Sequence, residues 1–173
     1  MPNMDVPIPF PIQWVDIPES NYRSRNGVVA DAIAIHIAEG SKASVIATFK
    51  DPLVQKSSHF LVCKDGSVVQ FVSTKNASFC TGNIDNPINE LVLSRKENPN
   101  SWTHSIEHEG FSNQDITDAQ YKTTALICKY LHDKWGVPLN RTHIFGHREV
   151  FSQKSCPGMI NVDKIIQLAR LLK

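Results

Sequence analysis

Three residues stand out for the chemistry they could do together: His36, His147 and Cys156. Histidine is the commonest metal ligand, and a zinc site that performs chemistry holds its ion with three protein ligands and one open position. His36 closes the apolar run Ala32-Ile33-Ala34-Ile35, and His147 follows Ile144-Phe145-Gly146. Cys156 comes nine residues after His147, enough chain for a loop to turn both side chains towards one ion. Spacing does not decide the matter, because His and Cys also serve as buried structural residues. A zinc-finger reading of His143 and His147 fails, since Cys63, Cys80, Cys128 and Cys156 form no C-x2–4-C pair.

The elements that must position these residues are legible from pattern. Residues 1–27 carry Pro2, Pro7, Pro9, Pro11 and Pro18, which predicts an extended arm packed on a domain spanning 28–173, with no regular core of its own. Ala32 to Ile37 reads as a short buried strand, placing His36 at its C-terminal end. Ser41 caps a helix to Lys50. Ser58–Lys64 and Ser67–Ser73, joined by Asp65-Gly66, read as a hairpin. The Asn- and Pro-rich stretch 81–103 reads as a long loop with one helical turn at 90–96, and Ser105–Phe111 as a strand. Thr117 to Gln120 fits a capping box before a helix that ends at Gly136. Thr142–Phe145 reads as a strand and Asn161–Leu172 as an amphipathic helix. Alternating strands and helices indicate an α/β domain.

Length and charge exclude several functions. A chain of 173 residues fits one domain. The net charge of +1 supplies no field for nucleic acid, and no apolar run approaches the ~20 residues needed to insert into a membrane. The start of the chain has an acid and prolines where a secretory signal needs basic residues and an apolar run, so synthesis is expected to end in the cytoplasm. Disulfides are not expected in such a chain.

Four blocks, in order, carry a resemblance: Ile35-His36 with Glu39-Gly40; Ser58-His59-Phe60-Leu61-Val62 with Asp65-Gly66; Ile106-Glu107-His108-Glu109-Gly110; and Gly146-His147-Arg148-Glu149 with Lys154-Ser155-Cys156-Pro157-Gly158. Over roughly residues 30–170 the chain resembles the zinc-dependent N-acetylmuramoyl-L-alanine amidases, a family that includes phage endolysins, bacterial amidases and peptidoglycan recognition proteins. The resemblance implies a central mixed β-sheet flanked by α-helices and one Zn2+ per chain, held by His36, His147 and Cys156. It further implies Glu107 as the catalytic acid and base, and Lys154 as the cation facing the carbonyl oxygen. Glu109 shares the strand parity of Glu107 and stands as an alternative acid.

The implied activity is hydrolysis of the amide between N-acetylmuramic acid and L-alanine in peptidoglycan, by a phage or prophage lytic enzyme that reaches the wall after release through the membrane. A separate wall-binding domain outside this chain is compatible with that role. The alternative is a peptidoglycan-binding module of the same fold that does not cut. Two departures from the family pattern stand out. Ser58 replaces a tyrosine that some members use in catalysis, and Cys80 replaces a histidine of the substrate groove. The other histidines are expected to be structural or at the surface, with His143 a possible support beside the site; Cys63 and Cys128 are expected in the core.

Overall fold

The computed structural model describes residues 7–173; the start of the expected arm, with Pro2, lies outside them. The strands are β1 (Ile12–Trp14), β2 (Tyr22–Ser24), β3 (Ala32–Ile35), β4 (Phe60–Val62), β5 (Val68–Gln70), β6 (Asn76–Ser78), β7 (Thr103–His108) and β8 (Ile144–Gly146). The helices are α1 (Lys42–Lys50), α2 (Glu90–Ser94), α3 (Pro99–Trp102), α4 (Asp118–Trp135) and α5 (Val162–Leu171). Six strands form one mixed sheet in the order β1-β5-β4-β7-β3-β8, in which only β4 and β5 run antiparallel. Strands β2 and β6 make a separate antiparallel ribbon.

Strand β3 shows why the sheet needs cover on both faces. Its residues are fully buried, and neighbours point to opposite sides. Ile33 and Ile35 join the core beneath α4 and α5, with Phe60, Ile106 and Ile144. Ala32 and Ala34 pack instead with Trp102, Phe145 and Val92. The same alternation puts Leu61 and Val69 under Val45 and Phe49 of α1.

The predicted hairpin and helices are present. Asp65 Oδ1 accepts from the Ser67 N–H at 2.9 Å, and Gly66 turns with φ +85°. A Cβ on Gly66 would stand 3.1 Å from Thr123 Oγ1, so the turn lies tightly on α4. Thr117 and Gln120 form the reciprocal capping box, and Gly136 ends α4 at φ +74°.

The amino-terminal segment differs from the expected arm. Ile12–Trp14 runs parallel to β5 and forms the edge of the main sheet, while Tyr22–Ser24 pairs with β6. Val15, Asn21 and Arg25 are buried. Proline is tolerated at the first residue of a strand or on an edge, and here Pro11 sits immediately before the proline-free strand. Stretch 81–103 also holds a second helical turn, α3, which Asn98 caps with Pro99 in its first position. Strand β7 begins two residues earlier than read from the sequence and stops at His108, before Glu109.

Candidate metal centre

Three loops at one end of the sheet bring the sequence-nominated residues together. His36 follows β3 directly and shares parity with Ala32 and Ala34, so it faces away from α4. His147 follows β8, which lies beside β3. Cys156 returns on a loop held by the Arg148 N–H, which donates to the Cys156 carbonyl at 2.8 Å. Gly146 is required here, because a Cβ would lie 2.5 Å from Pro157 Cδ.

The ligand atoms of His36, His147 and Cys156 all lie within 4.8 Å of one another. His36 Nδ1 is 3.7 Å from Cys156 Sγ. Nitrogen and sulfur ligands on a tetrahedral zinc, at ~2.05 and ~2.3 Å from the ion, stand ~3.6 Å apart. The two imidazoles meet edge to face, with centroids 4.6 Å apart. His147 Nε2 is buried without a hydrogen-bond partner, a costly condition for a polar atom unless a ligand meets it. Burial drives the pKa of His36 well below its ordinary value, helped by the charges of His147 and His108. Burial, with Lys154 nearby, pushes His147 down to about 4, so both rings are neutral at neutral pH and hold a free lone pair. The donor set fits zinc in type, number and spacing.

Glu107, on the same face of β7, closes the site from the sheet. Its Oε2 is buried and unpartnered, its Oε1 accepts from Cys80 Sγ at 3.4 Å, and burial pushes its pKa up to about 7. One carboxylate oxygen, the Cys80 sulfur and a His36 nitrogen form a second group within 4.8 Å. Lys154 is exposed and lines the cleft beside Ser155. That cleft, of about 1060 Å³, runs from Lys154 and His147 past Glu107 to Ser44 and Thr48 on α1.

Other nominated residues sit elsewhere. Glu109 Oε1 accepts from the Lys42 N–H at 2.8 Å, at the start of α1, and Oε2 accepts from the Lys64 N–H at 3.0 Å. It ties α1 to the hairpin, and both oxygens are engaged. His143 contacts Asn140, at 3.0 Å, away from the cleft lining. Ser58 is buried with its hydroxyl donating to the Phe60 carbonyl. His59, His104 and His108 are buried, as are Cys63 and Cys128, and all four cysteines carry free thiols. Sequence reading missed Thr81 and Ser105, which contact each other beside His36; nothing in an isolated hydroxyl residue signals such a role.

The family model for N-acetylmuramoyl-L-alanine amidase matches residues 25–159. The chain belongs to this amidase family. Over 98 residues it is 30% identical to N-acetylmuramoyl-L-alanine amidase A of Achromobacter lyticus, covering 56% of this chain and 46% of that protein. The chain thus spans about half the length of this curated relative. The fold matches the crystal structure of AmpD with a TM-score of 0.75 at 21% identity, over 91% of this chain and 93% of that one. It also matches the endolysin N-acetylmuramoyl-L-alanine amidase LysCS from Clostridium intestinale, with a TM-score of 0.68 at 17% identity, over 96% and 99% of the two chains. The mixed sheet with flanking helices is therefore the amidase fold. Among the described residues, no helix is long and apolar enough to cross a membrane.

Proposed function

We propose that the chain is a zinc-dependent N-acetylmuramoyl-L-alanine amidase that hydrolyses the amide between the lactyl group of N-acetylmuramic acid and L-alanine, as a lytic enzyme of phage or prophage origin. The observation that carries this reading is the convergence of His36, His147 and Cys156, from three separate loops, beside a buried carboxylate in an open cleft. Family membership supports the substrate, and the name of the Clostridium endolysin supports the lytic role.

His36, His147 and Cys156 would hold the ion. When bound there, zinc supplies a Lewis acid and a water acidified to a pKa of about 7. The free Oε2 of Glu107 takes a proton from the attacking water and returns one to the departing amine nitrogen, and a pKa near neutrality suits both tasks. The Lys154 ammonium, on the loop that presents Cys156, faces the carbonyl oxygen as negative charge gathers there. Ser58, with its hydroxyl committed to Phe60, leaves the proton transfer to Glu107.

Purified protein incubated with peptidoglycan should release new amino termini, with stem peptides beginning at L-alanine identified by mass spectrometry. One zinc per chain should accompany the activity and chelation should abolish it. Zinc-loaded protein that binds muropeptides without cleaving them would replace this reading with that of a binding module.

A further inference from the structure

We infer that Thr81 is a positioning residue for His36: its hydroxyl oxygen accepts the Nε2 proton and so turns the lone pair of Nδ1 towards Cys156. The inference rests on the reading of His36 as a metal ligand. Its basis is a buried row of polar atoms that runs from His36 through Thr81 to Ser105 along the sheet side of the cleft. His36 Nε2 lies 3.3 Å from Thr81 Oγ1, and Thr81 Oγ1 lies 3.2 Å from Ser105 Oγ. On the same side of the cleft, Cys80 Sγ donates to Glu107 Oε1 at 3.4 Å. Thr81 and Ser105 are completely buried, so water does not complete this row from outside.

The placement of the ring fixes the row's direction. Nδ1, 3.7 Å from Cys156 Sγ, is the nitrogen at ligand spacing, so as a ligand it keeps its lone pair and the neutral ring carries its proton on Nε2. Thr81 Oγ1 is the hydrogen-bond partner of Nε2 and therefore accepts, which leaves the single Thr81 O–H to donate to Ser105 Oγ. The partner of one imidazole nitrogen sets which tautomer the other presents, and losing such a partner weakens metal binding.

The sequence holds Thr81 rigidly in place. The N–H groups of Cys80 and Thr81 both donate to Asn100 Oδ1, at 3.2 and 2.8 Å. A Cβ on the next residue, Gly82, would collide with Asn100 and Asn98. Ser105 and Glu107 stand two apart on β7 and so share the face that looks onto Thr81 and Cys80.

The test uses the full chain. In zinc-free protein labelled with 15N-histidine, long-range proton–nitrogen correlation at neutral pH should find the His36 proton on Nε2. Zinc affinity, measured by competition with a chromophoric chelator, should fall roughly 10–100-fold in Thr81→Val, which keeps the shape and loses the acceptor. Thr81→Ser should restore it. Ser105→Ala leaves Thr81 in place but frees its hydroxyl to donate, and should move the His36 proton towards Nδ1 and weaken zinc binding; this arm decides the matter if Thr81→Val does not fold. A wild-type His36 protonated on Nδ1, or folded Thr81→Val with undiminished zinc affinity, overturns the inference and leaves the amidase reading intact. Wild-type protein with the expected tautomer and zinc affinity that fails to cleave peptidoglycan overturns the amidase reading instead.

Discussion

Among the described residues, two pairs of imidazoles pack edge to face. His36 and His147 have centroids 4.6 Å apart, and His59 and His104 have centroids 5.2 Å apart. The first pair faces a thiol, a carboxylate and an open cleft. The second faces the buried guanidinium of Arg25, whose Nη2 lies 3.0 Å from His59 Nε2 and 3.4 Å from His104 Nδ1. His59 has no lone pair to offer, because Nδ1 accepts from the Ser105 N–H and Nε2 lies 2.9 Å from the Asn76 carbonyl. Burial lowers the Arg25 pKa to about 9, which leaves it cationic at neutral pH. Paired imidazoles therefore make a metal site only where the neighbouring groups are anionic or neutral and the nitrogens are uncommitted.

The comparison is most easily broken at its catalytic half. Cys156→Ala should remove zinc retention and turnover together. Glu107→Ala and Lys154→Ala should keep the zinc and lose turnover by roughly 100-fold or more. Metal analysis beside an amino-terminus release assay separates the two outcomes, and near wild-type rates in Glu107→Ala would remove its assigned role.

The structural half should respond in stability. Arg25 donates to the carbonyls of Thr74, Asn100, Ser101 and Thr103, which tie the amino-terminal segment to α3. Arg25→Met strands these acceptors and should cost about 3–5 kcal/mol in denaturant unfolding. Zinc stoichiometry of the folded fraction should not change.

Acid should act on the buried imidazoles. Burial, the Arg25 charge and an opposing hydrogen bond to Asn76 together hold His59 at about 3, and burial holds His108 at about 4 against the His36 carbonyl. The unfolded chain takes up protons near 6.5, so between there and the folded values it binds more of them than the native state. The stabilisation is full above pH 6.5 and is lost as pH falls towards 4 and 3. Melting temperature of the zinc-free protein should decline over that window, and a flat profile would contradict neutral burial of these rings. The smallest effect is expected from Glu109→Ala, which removes two N–H acceptors and should lower stability by about 1–3 kcal/mol with kcat unchanged. Loss of turnover without loss of stability would return Glu109 to the active site.

Much of the frame was legible because local rules act over a few residues. Asp65-Gly66 specifies its turn and Thr117 with Gln120 its cap, whatever lies around them. The amino-terminal strand was not legible, since prolines mask three residues whose only reason to be extended is an open edge at β5. Glu109 and Glu107 share parity, yet β7 ends between them and the Lys42 and Lys64 N–H groups claim one alone.

By itself the sequence determined the α/β alternation, the position of His36 at the end of a strand and the family blocks that nominate His147, Cys156, Glu107 and Lys154. Only the tertiary structure decided which imidazoles keep a free nitrogen, which acid keeps a free oxygen, and that Thr81 and Ser105 lie between them. The physical reason is range. Turns and strand ends follow from neighbouring residues, whereas the state of a buried polar atom depends on every partner that packing brings within hydrogen-bond reach, from positions as distant as 25, 81 and 105.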